Sequence, residues 1–241
     1  MSNLNLSRLG PRAAGLAKFM VDRAQEVHAP CVLIGASALI MRGVIDRETK
    51  DLDFNIAPHW SGALQHVIAP HLQSTRNEAV LVDGATQAAK AVQTSFRFFK
   101  QVDEAGDNMK DPADFLPYKV DVSENMCALT PNAFTKLDGV YVATVPLMVI
   151  FKMCALARPN RSTWSDKALK DATDLVLALR YLRAHNEVIP PNILGFLAYE
   201  NPRFLWANFW NALSLVVGHV GTTVQEVEQL LHALGVAKTR D

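Results

Sequence analysis

Three cysteines in 241 residues are too few and too scattered to organise a fold. Cys31, Cys127 and Cys154 are odd in number and show no paired spacing. That excludes a disulfide framework and a cysteine-built zinc site, and fits a reducing compartment. An excess of either charge is also missing. Lys plus Arg equals Asp plus Glu at 24 each, so no overall basic field exists to hold bulk DNA or RNA; that weakens a nucleic-acid-binding module but leaves room for a small or pre-folded nucleic acid substrate. No apolar run approaches the roughly 18 residues that a membrane span needs, and the N-terminus lacks the apolar core of a secretory signal. Residues 1 to 21 carry Arg8, Arg12 and Lys18 without an acid, a bias shared with mitochondrial presequences, but Leu16, Phe19 and Met20 fit an amphipathic first helix better. The expectation is a soluble, cytoplasmic protein that does not enter a membrane.

What is present suits a packed core. The apolar fraction is 49%, and 20% charged residues with 12 Pro and 12 Gly argue against extended disorder. Residues 11 to 28 read as a helix broken before Pro30. Cys31 to Ile34 is an apolar run short enough for a buried strand, followed by a Gly35-Ala36-Ser37 turn and a short helix from Ala38 to Arg42. Asp51 to Ile56 alternates strictly, so a strand there puts Asp51, Asp53 and Asn55 on one face and Leu52, Phe54 and Ile56 on the other. His59 to His71 is helical, with His66 and His71 spaced badly for sharing a metal. Residues 73 to 90 read as irregular, with Asp83-Gly84 as a turn. Val92 to Phe99 is a strand, Gln101 to Asp114 a charged loop, Leu116 to Val122 a strand with Lys119, Asp121 and Ser123 on one face, and Val140 to Val145 the last strand.

From Pro146 the pattern becomes helical. Pro146 starts a helix from Leu147 to Ala157. Ser162 or Ser165 then caps a long amphipathic helix to about Arg183, on which Leu169, Ala172, Leu175, Val176 and Leu179 recur at helical spacing. Three more helical stretches follow near 191 to 199, 202 to 217 and 222 to 234. The Trp206, Phe209 and Trp210 cluster reads as helix packing rather than a base-stacking platform. No internal repeat is visible. The expected organisation is an α/β (α+β) core over 1–145, with an insertion over about 73–115, and a helical domain over 146–241.

The acids carry the chemistry. Two carboxylates side by side on a strand repel by about 4 kcal/mol at about 4 Å and an effective dielectric of about 20. A solvated strand face is the plain reading, and a divalent-metal site is the sharper one. Gly35-Ala36-Ser37 sits where a strand meets a helix start, a place where glycine permits close approach and backbone amides attract phosphate oxygens. The span from Ser37 to Asp51 suits a short helix returning the chain to an adjacent strand. Asp121, flanked by Val120 and Val122, is a third strand-borne carboxylate. Such a set suits Mg²⁺, which takes one or two carboxylates plus phosphate oxygens and water. Gly-Ala-Ser-Ala also looks like a degenerate nucleophile elbow, but too few residues precede Gly35 to build the strands and oxyanion loop that a hydrolase of that type requires.

Gly35-x-Ser37 followed by Arg47-x-Thr49-x-Asp51-Leu52-Asp53-Phe54 resembles the nucleotidyltransferase superfamily that includes DNA polymerase beta. Within it, the run looks most like the small bacterial nucleotidyltransferases of abortive-infection and toxin–antitoxin systems. The resemblance covers about 31 to 56 and extends weakly to Lys119-Val-Asp-Val122 and to Val145–Leu182, with Lys152 and Lys170-Asp171-x-x-Asp174. It implies a mixed sheet flanked by helices and a helical second domain. It further implies that Asp51, Asp53 and Asp121 ligate Mg²⁺ (or Mn²⁺), with Asp121 helping to deprotonate the acceptor. Gly35 and Ser37 would hold the β- and γ-phosphates, Arg47 and Thr49 would brace the acidic strand or touch phosphate, and Lys152 would neutralise the triphosphate. Asp171 and Asp174 suit helix ion pairs equally well. The chain departs from the family pattern in having Gly-Ala-Ser where Gly-Ser or Gly-Gly-Ser is commoner, and in a long interval before Asp121. The expected activity is transfer of a nucleoside monophosphate from an NTP to a hydroxyl on a protein, a tRNA or a small molecule. A non-catalytic nucleotide- or partner-binding relative and a metal-dependent phosphohydrolase are the competing readings.

Overall fold

The computed structural model describes residues 5–49, 51–71, 74–81, 90–98, 118–158, 164–197 and 206–236. The chain divides into two compact units, Met1–Ala143 and Thr144–Asp241.

The first unit is built on one mixed sheet. Its strands are β1 (Cys31–Ile34), β2 (Asp51–Ile56), β3 (Ser74–Leu81), β4 (Lys90–Phe98), β5 (Tyr118–Glu124), β6 (Phe134–Leu137) and β7 (Val140–Ala143). They lie in the order β3-β4-β5-β2-β1-β7-β6. β2 runs antiparallel to β1 and parallel to β5, which puts the acidic strand at the centre. Central strands need apolar residues on their packed side, and Leu33, Leu52, Phe54, Ile56, Val120 and Val122 are all fully buried. Helix α1 (Gly10–Glu26) packs on β1, β2 and β7, with Ala17 and Met20 completely covered. α3 (Ser61–Ile68) packs on α1 and β5 through Leu64 and Ile68.

Three expectations are corrected. Gly35-Ala36-Ser37 is not a turn before a helix: α2 (Gly35–Met41) starts at Gly35 itself, immediately after β1. A φ of +70° at Gly35, available at little cost only to glycine, lets the chain change from strand to helix without a linker. Residues 74–81 are strand β3, not irregular chain. The segment Ser-Thr-Arg-Asn-Glu-Ala-Val-Leu shows no apolar alternation, because β3 is an edge strand whose state comes from antiparallel pairing with β4. The segment expected as an insertion therefore contributes two strands to the same sheet. β6 was also unanticipated, although Asp138-Gly139, both at positive φ, forms the two-residue turn that closes the β6–β7 hairpin. Asp83-Gly84 and the whole charged loop lie outside the described residues, as does Ser162.

The second unit is helical in its described residues: α4 (Val145–Leu156), α5 (Asp166–Ala184), α6 (Pro191–Leu194), α7 (Trp206–Val216) and α8 (Val224–Ala233). α4 is apolar all round and is buried almost throughout, as such a helix must be. α5 begins at Ser165, whose Oγ accepts from the Ala168 N–H at 3.1 Å. Thr223 caps α8 in the same way, accepting from Glu226 N–H at 3.1 Å. Phe209 is fully buried and stacks edge-on to Trp206 and Trp210, so that cluster is helix packing. Among the described residues no helix is long and apolar enough to cross a membrane.

Candidate active site

Register brings the acids together. The parallel pairing of β2 with β5 sets Asp53 opposite Asp121 and Asp51 opposite Lys119. Directly paired residues share a face and have neighbouring Cβ atoms, so three carboxylates and one ammonium stand on one side of two central strands. Leu52, Phe54, Val120 and Val122 are buried on the other. Asn55 shares the acidic face but is buried, and its amide donates to Cys127 Sγ at 3.1 Å, which makes it a structural residue. The thiol pKa of Cys31, the first residue of β1, is pushed up to about 12 by burial, which keeps the thiol protonated.

Gly35 borders the acids through the other neighbour of β2. Ile34, its predecessor, pairs with Asp53. A Cβ on Gly35 would collide with the Asp53 carboxylate and would lie only 3.2 Å from Asp53 Cβ and Cγ. Glycine is thus required twice here, for its positive φ and for the space it leaves Asp53.

Two hydroxyls converge on the start of the acidic strand. Ser37 Oγ donates to the Asp51 carbonyl at 3.2 Å, and Thr49 Oγ1 donates to the same oxygen at 2.8 Å and lies 3.2 Å from Asp51 Oδ1. Ser37 is buried in this role. Arg47 is exposed and donates to the Glu48 carbonyl at 3.4 Å, close by on the link into β2.

Lys119 is the residue for which the sequence suggested no role. Its Nζ meets Asp121 Oδ2 at 2.6 Å. Burial works against the charged ammonium, but the hydrogen bond to Asp121 and the charges of Asp121, Asp51 and Asp53 outweigh it and raise the Lys119 pKa above its ordinary value. The i, i+2 spacing of Lys119 and Asp121 on a strand was the available signal; the parallel register that brings in Asp51 and Asp53 was not readable. Among the described residues no three His, Cys, Asp or Glu side chains are grouped closely enough to hold a metal ion by themselves.

Lys152 belongs to the second unit. On α4 its Nζ meets Asp171 Oδ1 and Asp174 Oδ2 of α5, both at 2.8 Å. Burial disfavours this ammonium strongly, yet the charges and hydrogen bonds of the two aspartates prevail and raise its pKa. Asp171 and Asp174, one turn apart, thus share a single lysine.

No curated protein matches the chain. Among solved structures, an antigenic nucleotidyltransferase-like protein from Paracoccidioides brasiliensis superposes with a TM-score of 0.53 at 13% identity, covering 90% of this chain and 91% of that one. The antibiotic-resistance factor ANT(2'')-Ia, a solution structure, gives a TM-score of 0.46 at 12% identity over 80% of this chain and 94% of its own. At such identities the first likeness speaks for the fold: a mixed sheet flanked by helices, as in nucleotidyltransferase-like proteins. The family model described as nucleotidyl transferase AbiEii toxin, type IV TA system, matches residues 18–201, well over half of the chain. The match takes in both units, the β1–α2–β2 motif and the Lys152 cluster, and the chain belongs to this toxin–antitoxin family of nucleotidyl transferases.

Proposed function

We propose that the protein transfers a nucleoside monophosphate from an NTP to an acceptor hydroxyl, using a divalent cation held by Asp51, Asp53 and Asp121. The observation that carries this reading is the register of Asp53 against Asp121 beside Gly35. Family membership supports nucleotidyl transfer in general. The donor set suits a hard ion such as Mg²⁺ or Mn²⁺, which takes one or two carboxylates and completes its shell with phosphate oxygens and water. When bound, the ion would offset charge on the phosphates and on the attacking and leaving oxygens.

The chain's own residues have separable tasks in this scheme. Gly35, at the start of α2, would let the triphosphate approach the backbone closely. Ser37 and Thr49 brace Asp51 through its carbonyl, and Arg47 stands at the entry to the same strand. Asp121 would take the proton of the acceptor hydroxyl as its oxygen bonds to the α-phosphorus. The bond from that phosphorus to the bridging oxygen breaks, and pyrophosphate leaves. Lys152 would serve the triphosphate only by giving up part of its pairing with Asp171 and Asp174. The acceptor is a hydroxyl on a protein, a tRNA or a small molecule, and the setting is the cytoplasm, where NTP and reduced thiols coexist.

Incubation with α-³²P-labelled NTPs, Mg²⁺ and cell extract tests the reading. Label should enter a discrete acceptor with the wild type and not with Asp53→Asn, and γ-labelled NTP should transfer none. Absence of transfer, with NTP and Mg²⁺ binding untouched in Asp51→Asn and Asp53→Asn, would sink it. The Lys119–Asp121 pair favours one alternative, a relative that binds nucleotide or a partner without catalysis. NTP binding indifferent to Mg²⁺ would decide for that alternative, and release of phosphate to water alone would decide for a phosphohydrolase.

A further inference from the structure

We propose that Lys119 is the resident cation of the acidic site: its ammonium occupies the carboxylates while no metal is bound, and moves onto phosphate when a divalent ion enters together with nucleotide. The inference rests on the assignment of Asp51, Asp53 and Asp121 as the metal-holding set.

Three observations lead to it. Lys119 Nζ sits 2.6 Å from Asp121 Oδ2, on the very carboxylate expected to face both cation and acceptor. Cross-strand pairing places Lys119 opposite Asp51 and Asp121 opposite Asp53, so the ammonium stands among all three acids. The two ends of the ion pair differ in freedom. The Asp121 side chain is 10% exposed and fixed in the sheet, whereas the Lys119 side chain is 45% exposed and has an open path toward solvent. A long lysine stem allows its head to travel while the stem stays on the strand.

The consequence is coupling between metal and nucleotide. A divalent ion arriving alone must displace the ammonium and brings it no anionic partner in exchange. An ion arriving with a triphosphate offers that ammonium a new anionic partner. Metal should therefore bind weakly by itself and much better with nucleotide, and the enhancement must be reciprocal. Lys119 would be a positioning residue that restrains metal binding until the substrate is present.

The test is titration of Mn²⁺ alone into the full-length protein, followed by the electron paramagnetic resonance signal of free Mn²⁺, and its repetition with a non-hydrolysable NTP analogue. Without nucleotide, Lys119→Met should bind Mn²⁺ about fivefold more tightly than wild type, the scale of one ion pair open to water. Lys119→Arg, which keeps the charge, should behave as wild type. In Lys119→Met the enhancement of Mn²⁺ binding by the analogue should fall by a similar factor. Circular dichroism checks the fold of each variant, and Lys119→Gln serves as a second neutral replacement. If both neutral variants bind Mn²⁺ no better than wild type while Asp53→Asn loses it, the proposal is overturned and the metal site stands. If Asp53→Asn binds Mn²⁺ as wild type does, or if wild type and both neutral variants bind none with or without the analogue, the metal-site assignment itself fails and takes the proposal with it.

Discussion

A lysine meets aspartates in both units, and the two clusters differ mainly in burial. Lys119 lies against Asp121 on the sheet, with its side chain nearly half exposed, and Asp51 and Asp53 stand nearby. Lys152 lies against Asp171 and Asp174 between helices, and the three side chains are 11%, 11% and 1% exposed. The same charges therefore have different meanings. An ion pair open to water contributes little and exchanges readily. A buried one is costly to assemble, but removal of one partner strands a charge and destabilises by about 3–5 kcal/mol. The first cluster is suited to changing partners and the second to holding a helix pair in place.

The largest expected effect belongs to the exposed cluster. Asp53→Asn should reduce nucleotidyl transfer by about 10³-fold or more, roughly 4 kcal/mol of lost transition-state stabilisation. Thermal unfolding of the metal-free protein should be unchanged or slightly raised, because one member of a repelling set becomes neutral. Asp174→Asn should reverse that pattern by lowering the melting temperature. Loss of transfer in Asp174→Asn without loss of stability would break the comparison, since it would make the buried cluster a working part of the site.

Next in size is Lys152→Met, expected to cost about 3–5 kcal/mol in urea unfolding because Asp171 and Asp174 stay buried without their cation. Lys119→Met should stay within about 1 kcal/mol in the same measurement. Equal losses would mean that exposure does not separate the clusters. The affinity of folded Lys152→Met for NTP, measured where the protein remains native, separates the structural duty of Lys152 from a contact with triphosphate.

The alkaline limb of stability probes what the two clusters share. Both lysine pKa values are raised in the folded state. Each lysine thus contributes stability that is fully present below its unfolded value, about 10.4, and is lost as pH climbs through the folded value. Melting temperatures followed upward from pH 8 should show no fall from these groups until about pH 10.4. Above it, both lysines contribute to the decline, and Lys152→Met and Lys119→Met should each flatten that limb.

How legible these clusters were depended on the range of the interaction. The β1–α2–β2 unit could be read because Asp51, Asp53, Leu52 and Phe54 alternate within a few residues, and short-range alternation is what a half-buried strand imposes. The start of the helix was misplaced because a glycine after a strand signals a turn by default, and only its φ of +70° marks the direct strand-to-helix change. Edge strand β3 was missed because pairing, not pattern, makes it a strand. Lys152 is expected on the triphosphate, and Asp171 and Asp174 either at the site or in helix ion pairs; the sequence shows that the two acids share a helix face but not which helix faces them, so their pairing with Lys152 is not readable. Asp121 stood out through its flanking valines, yet its position opposite Asp53 is a register between distant strands, which no local pattern encodes.

The smallest expected effect tests how the exposed cluster is held. Ser37→Ala removes a buried hydroxyl that donates to the Asp51 carbonyl at 3.2 Å. Thr49 donates to the same oxygen at 2.8 Å, so the carbonyl keeps a partner and the stability loss should lie near the low end of about 0.5–1.5 kcal/mol. If Ser37 acts as a brace, kcat should fall a few-fold with KM for NTP nearly constant, because Asp51 is less firmly placed. A contact between Ser37 and the β- or γ-phosphate would instead raise KM with kcat nearly constant. Two hydroxyls on one carbonyl also predict non-additivity. The double variant Ser37→Ala with Thr49→Ala should lose more stability than the sum of the singles, because only then is the Asp51 carbonyl left without either hydroxyl. Strict additivity would show that the two do not act on Asp51 together, and the brace would have to be sought in the remaining neighbours of β2.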